Sequence, residues 1–233
     1  YVAKFIAREE WIVAGGDRGH IHVHSYDESQ DATSFEAHNG RIMSLAVHPT
    51  DSYLLSSSHD DHLIKLWHWD TYWNFDKASW ECARTFQGHS SRVSQVIFNP
   101  DDNGSFASAS WDCTAKLWSL KSDMSNAITL DDNSASILCV GYVIGDDREH
   151  LITGSKDGTA QIWDLGTKTC IENLRRHGNH ISAVYCHPKH HKLMTGSLDG
   201  TVRIWDFTTY RLENIIDFNL GEVYDFGYIE ESQ

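Results

Sequence analysis

The sequence predicts an all-β protein assembled from repeated four-stranded blades, the propeller architecture, and three observations carry that prediction. First, similar stretches recur: "SHDDHLIKLWHW" (58–69), "SWDCTAKLWSL" (110–120), "SKDGTAQIWDL" (155–165) and "SLDGTVRIWDF" (197–207), with a weaker copy, "GGDRGHIHVHSY", at 15–26. Second, the aligned positions His24, Trp67, Trp118, Trp163 and Trp205 lie 43, 51, 45 and 42 residues apart, close to one blade per step. Third, a marker precedes each strong copy: "FEAHNGRI" (35–42), "FQGHSSRV" (86–93), "LDDNSASI" (130–137) and "LRRHGNHI" (174–181). Between markers lie short β-rich runs such as "MSLAVHP", "SQVIFNP" and "SAVYCHP", each followed by polar turn residues.

The blades therefore fall at about 1–34, 35–85, 86–129, 130–173 and 174–213, with a partial blade at 214–233. One propeller domain across 1–233 is expected, about five blades plus a partial one of a truncated seven-bladed ring. Tyr1–Ala7 and Gly221–Ile229 are each expected to supply strand material. The first residue is not Met, which reads as a fragment or a processed piece. The 51-residue step is explained by an insertion, "DTYWNFDKASWECA" (70–83), expected as a loop. Its neighbourhood carries Trp69, Tyr72, Trp73, Phe75 and Trp80. These either contact a partner or fold back onto the blade edge, and the second reading is favoured.

Each strong copy holds an Asp six residues before its Trp: Asp61/Trp67, Asp112/Trp118, Asp157/Trp163 and Asp199/Trp205. Four residues before each Asp stands a hydroxyl: Ser57, Ser108, Thr153 and Thr195. The markers add His38, His89 and His177. Indole N–H, hydroxyl, imidazole and carboxylate satisfy one another inside a packed sheet, so these residues form a structural network. The set resembles a Ser-His-Asp triad, but a catalytic triad does not recur several times in one chain. A blade cannot bury both faces alone, which is why the unit repeats. In the irregular copies His24 replaces Trp, Arg18 replaces the turn Asp, Asn133 replaces His, and the turn at 58–61 carries one extra residue. Those blades are expected to be less rigid than the ones ending at Trp118 and Trp205.

The chain has 233 residues, 40% hydrophobic and 12% aromatic, ample for a buried core. Its net charge of −14 argues against a phosphate-binding surface, and so against nucleic acid. No run of 18 apolar residues suggests a membrane span, and the N-terminus does not read as a signal peptide. Cys82, Cys113, Cys139, Cys170 and Cys186 form no CxxC pair and read as reduced, mostly buried thiols of a cytosolic protein. The sequon at Asn103 reads as a turn. His20, His22 and His24 share one strand face and would suit zinc or copper, but no acid or Cys has diagnostic spacing. A polar strand face is favoured, as is a plain turn for His190 and His191. The acidic turns at 131–133 and 146–150 read as solvated. No cofactor, metal site or catalytic residue is expected.

The chain resembles the WD-repeat propellers in general and, more closely, the N-terminal propeller of the coatomer beta-prime family. The phrases that carry this are "KFIAREEWIVAGGD", "FEAHNGRIMSLAVHPT", "LIKLWHWD", "FNPDDNGSFASASWD" and "SLDGTVRIWDFTTYRLE", spread from Lys4 to about Val223. The resemblance places residue 1 at the start of the family's second blade and the last residues in its seventh. It implies a non-enzymatic, cytosolic, Golgi-associated piece of the COPI coat. It also implies protein partners, namely other coatomer subunits and cargo tails with a dilysine signal, and peripheral membrane contact only through the coat. The family's first blade, second propeller and helical solenoid have no counterpart in this chain. An Arg of the family's cargo site falls on Tyr1, and three of its acidic positions fall on Gly40, Asp60 and Lys156. Asp60 alone keeps the acidic charge, and Lys156 would repel a cationic ligand. A diverged scaffold that no longer reads dilysine cargo is the alternative, and an enzyme ranks last.

Overall fold

The computed structural model describes residues 2–26, 33–70, 79–121, 127–143, 149–187, 190–217, 219 and 221–227. They form an all-β protein of five four-stranded antiparallel sheets, each a blade whose strands follow chain order. The chain divides into two compact units, 1–129 and 130–233. In the first lie the sheet of β1 (Val2–Ile6), β2 (Trp11–Gly15), β3 (His20–Ser25) and β4 (Thr33–Glu36), and that of β5 (Ile42–Val47), β6 (Tyr53–Ser58), β7 (Ile64–Asp70) and β8 (Ser79–Phe86). The third sheet joins β9 (Val93–Phe98), β10 (Ser105–Ser110), β11 (Ala115–Ser119) and β12 (Ile128–Leu130). The second unit holds β13 (Ile137–Val143), β14 (His150–Ser155), β15 (Thr159–Asp164) and β16 (Thr169–Arg175), then β17 (Ile181–His187), β18 (Lys192–Ser197), β19 (Thr201–Asp206) and β20 (Leu212–Asp217).

Burial follows strand position. The second strands β6, β10 and β14 are covered on both faces and are rich in Ser, Ala, Thr and Gly, whose small side chains let a neighbouring sheet approach. A Cβ on Gly15 would lie 2.6 Å from Cγ2 of Ile42, and one on Gly154 would lie 2.5 Å from Cγ2 of Ile181. The outer strand β16 alternates instead, with exposed residues between part-buried ones.

In the first unit the sheets bury apolar residues against each other. Val13, Ile21 and Val23 of the first sheet cluster with Leu45, Leu54 and Trp67 of the second. On the opposite face of the second sheet, Leu55, Ile64, Leu66 and Phe86 cluster with Val93, Phe106 and Trp118 of the third. In the second unit Ile152, Ala160 and Ile162 meet Ile181, Leu193 and Trp205. Thus Trp67, Trp118 and Trp205 each face the sheet before their own.

Two register breaks recur. The pairing of the first two strands skips one residue at Ile42/Ser44, Ile137/Cys139 and Ile181/Ala183. The outer pairing skips one beside the Trp, at Leu66/Trp67, Ile162/Trp163 and Ile204/Trp205. Such bulges twist a strand locally, here beside the largest side chain of the blade.

Several expectations need adjustment. The sheets run one to four residues past the expected blade ends, and in the first four the last strand reaches into the next marker. Residues 214–217, expected in the partial blade, complete β20 and close the fifth sheet. Residues 221–227, expected to supply strand material, form no strand, although Val223 lies against the fifth sheet. Val223 donates its N–H to Ser197 O at 3.1 Å, and its Cγ1 would lie 2.6 Å from a Cβ on Gly196, the relation Ile181 has to Gly154. Residues 79–83, expected in a loop, are strand, so the insertion lengthens the β7–β8 hairpin. Its aromatics fold back where they are described. Trp69 is buried and lies 5.2 Å from Trp80, which stacks on Phe35 at 5.3 Å. Tyr72, Trp73 and Phe75 lie outside the described residues. Only Cys139 and Cys186 of the five thiols are buried, and Cys82 is exposed.

Trp118 is 5% exposed, stacks on Phe106 at 5.9 Å and meets Phe86 edge-on at 5.6 Å. Trp118→Ala is expected to lower the unfolding free energy by about 3–5 kcal/mol, because the ring's contacts and its cavity are lost together. Denaturant unfolding measures this, and a change near zero would contradict the packing described.

Candidate functional site

Three sheets contain the same buried hydrogen-bond relay. In the third, the Trp118 indole N–H donates to Ser108 Oγ at 2.8 Å, His89 Nε2 lies 2.7 Å from that oxygen, and His89 Nδ1 lies 2.8 Å from Asp112 Oδ2. In the fifth, Trp205 donates to Thr195 Oγ1 at 3.0 Å, with His177 Nε2 at 2.7 Å and His177 Nδ1 to Asp199 Oδ2 at 3.0 Å. The direction of the protons follows from the donor set. The carboxylate only accepts, so Nδ1 carries the imidazole proton, Nε2 accepts from the hydroxyl, and the hydroxyl oxygen accepts from the indole.

The second sheet corrects the sequence reading. Its hydroxyl is Ser56, which receives the Trp67 N–H at 2.8 Å and bonds His38 Nε2 at 2.6 Å, while His38 Nδ1 reaches Asp61 Oδ2 at 2.9 Å. Ser57 points away and donates to Val93 O at 3.1 Å. The cause is the extra residue in the 58–61 turn, which displaces Asp61 one place from the strand. Counting by strand register avoids the error. Trp67, Trp118, Trp163 and Trp205 sit opposite Leu54, Phe106, Leu151 and Leu193, and the hydroxyl always comes two residues later.

The fourth sheet keeps part of the relay. Trp163 donates to Thr153 Oγ1 at 3.0 Å, but Asn133 replaces the imidazole and neither of its amide atoms has a partner. Asp157 is held by the Ser134 hydroxyl at 3.0 Å and the Thr159 N–H at 2.9 Å. In the first sheet Ala14 stands at the hydroxyl position by register and His24 is exposed, so no relay forms there.

Each carboxylate also collects local donors. Asp112 accepts from Ser90 N, Thr114 N and Thr114 Oγ1, and Asp199 from Gly178 N, Thr201 N and Thr201 Oγ1. Thr114 and Thr201 were not singled out in the sequence, although a Thr two residues after the turn Asp was there to be read. Burial alone would raise the Asp61 carboxyl, but the His38 hydrogen bond and the N–H groups of Leu63 and Asn39 outweigh it and hold it at about 2. Asp112 and Asp199 are held well below the usual carboxylate range against the same burial. Burial, only partly offset by Asp199, lowers His177. As a nucleophile Ser108 is unsuitable: it is fully buried, and its oxygen is already engaged on both sides.

Asp60 lies on the surface beside this relay. Its side chain is 52% exposed, with Oδ1 2.7 Å from His59 Nδ1 and Oδ2 accepting the Arg41 N–H at 3.0 Å. The His59 contact and then the Arg41 N–H hold its carboxyl below the usual range, so it is ionised at neutral pH. Gly40, with φ +118°, makes room for it: a Cβ there would lie 2.0 Å from Asp60 Oδ2. Arg41 pairs with Asp17 at 2.7 Å. Lys156 belongs to the second unit and is exposed.

Among the described residues no group of three or more His, Cys, Asp or Glu is arranged to hold a metal ion. His20 and His22 stack at 6.4 Å, with His20 Nδ1 on Arg18 O. No described helix is long and apolar enough to cross a membrane.

The family model "WD domain, G-beta repeat" matches residues 29–68, 80–119, 125–164 and 168–206, more than half of the chain. Among curated proteins the chain is 48% identical to coatomer subunit beta'-2 of Arabidopsis thaliana over 117 residues, 50% of this chain and 12% of that protein. It is 44% identical to coatomer subunit beta' of Drosophila melanogaster over 145 residues, 62% of this chain and 16% of that protein. A probable coatomer subunit beta' of Schizosaccharomyces pombe is 39% identical over 111 residues, 48% and 14% respectively. The chain therefore corresponds to a small part of the length of these relatives.

Two outcomes follow from the relay. Ser56→Ala strands the Trp67 N–H and one nitrogen of His38, and is expected to cost about 2–4 kcal/mol, whereas Ser57→Ala, which loses one hydrogen bond, costs about 1 kcal/mol. Equal losses in denaturant unfolding would contradict the register assignment. For pH, groups with a lowered folded pKa contribute stability above their unfolded value that is lost on acidification. Stability is therefore expected to fall below about pH 6.5 as His177 must charge, and more steeply from about pH 4 towards about 2 as the carboxylates protonate. A flat melting temperature between pH 7 and 3 would count against this.

Proposed function

Because the chain belongs to the WD-repeat family, defined by its WD domain, G-beta repeats, we propose that it is a non-catalytic scaffold of the coatomer beta-prime type, serving as part of a COPI vesicle coat in transport between Golgi and endoplasmic reticulum. The observation that carries this reading is the identity to three coatomer beta' subunits from a plant, a fly and a yeast. The geometry agrees with it. The Ser-His-Asp sets are spent on holding turns to strands, and their hydroxyls are sealed inside the sheets. In this reading all 233 residues serve one propeller domain. Its partners are other coatomer subunits, and it acts from the cytoplasm, reaching Golgi membranes only through the coat.

Cargo reading is the finer part of the proposal. Asp60 is exposed, ionised and fixed by two contacts, so it is placed to receive one ammonium group of a dilysine tail. Titration of the chain with a peptide ending in Lys-Lys-x-x is expected to show salt-sensitive binding that is lost when both lysines are replaced by serine. Asp60→Asn should weaken binding about two- to five-fold, the size of one exposed ion pair. Absence of binding by a folded chain would remove cargo reading from the proposal while leaving the coat scaffold to be tested by capture of coatomer subunits.

A further inference from the structure

The fourth sheet retains most of the relay but lacks the ring that joins its parts. At the marker position, where His38, His89 and His177 stand elsewhere, is Asn133. Its Oδ1 and Nδ2 are both buried and both without a hydrogen-bond partner. Two residues before the tryptophan the other strong copies carry a long cation, Lys65, Lys116 or Arg203, and the fourth carries Gln161. Lys65 spans to Ala37 O at 2.6 Å, whereas the shorter Gln161 turns its amide to Asp132 O at 3.2 Å and Asn173 Oδ1 at 3.0 Å.

Two shortened side chains on one face open a cavity of about 260 Å³, walled by Asn133, Asp157, Gln161 and Asn173 and bordered by exposed Asp132 and Arg175. That is several times the ~30 Å³ share of one water molecule. The walls are polar, and the unpaired amide of Asn133 costs free energy until something bonds it.

The wall groups define the chemistry of an occupant. Asp61, Asp112 and Asp199 each use Oδ2 to receive an imidazole N–H, and Asp157 Oδ2 receives the Ser134 hydroxyl, with capacity for a second donor. Asn133 Nδ2 is a donor in need of an acceptor. A five-membered ring with one N–H and one bare nitrogen fits both demands. We propose that this cavity is a binding site for an imidazole ring supplied from outside the chain, its N–H donated to Asp157 and its second nitrogen accepting from Asn133 Nδ2. A free azole and the histidine side chain of a peptide offer the same edge. The inference rests on the fourth sheet alone and is independent of the coat reading.

Imidazole and N-acetyl-histidine methylamide are titrated into the full chain at about pH 8, where the ring is neutral, following the melting temperature and the side-chain amide signals of Asn133. A saturable rise of a few degrees, with displacement of the Asn133 signals, is expected. A response to imidazole alone assigns the site to free azoles, and a response to both extends it to peptide histidine. Asn133→His, which supplies the ring covalently, should raise the melting temperature unaided and abolish the response. Gln161→Lys, which fills the other side of the cavity, should abolish it as well and serves if the first variant fails to fold. No saturable response, or an equal one in the filled variants, overturns the proposal and leaves the cavity to water.

Discussion

The relay from indole to carboxylate is the constraint on which each regular blade depends. Four polar groups lie within or at the edge of a packed sheet, and any one left unpaired would cost free energy of the order that a single buried contact contributes. Joined end to end they cancel one another's demand, and every proton points toward the carboxylate. The tie also has a mechanical result. It joins distant parts of the chain: His89 stands 23 residues before Asp112, while the hydroxyl and the indole come from the second and third strands of the sheet. The marker loop, the turn and two strands are thereby fixed to one another.

Around that tie the apolar packing is permissive. The sheet faces use different residues in each blade, Leu55 and Leu66 in one and Ile152 and Ile162 in another, while bulges recur beside Trp67, Trp163 and Trp205. Core positions that tolerate exchange and polar positions that do not are the expected outcome when volume sets burial and geometry sets hydrogen bonding. The irregular blades show what yields first. The first dispenses with the relay and turns polar at His22 and His24, and the fourth keeps both ends of it and leaves the middle open.

Much of the fold could be read in the sequence, because the repeat encodes it four times over. The Trp positions, the four-stranded units and the networks around Asp112 and Asp199 rest on spacing alone. Ser56 was misread as Ser57 because one inserted residue shifts a count along the chain without shifting the strand register. The last strands of the first four sheets end later than expected because a strand that runs into a marker shows no composition change at its end. The relation of Asp60 to Gly40 was invisible for a different reason. The two are twenty residues apart in sequence, and only the fold brings the carboxylate over the bare α-carbon.

That contact restricts how the surface can change over time. With Asp60 lying where a side chain at position 40 would project, the two positions compete for one volume. Any side chain substituted at Gly40 would collide with a carboxylate already present and force it aside. Removing Asp60 would clear that volume and leave Asp61, tied to His38, as the carboxylate of the turn. An acid can therefore stand at position 60 or at position 40, but not at both without a shift of backbone or side chain.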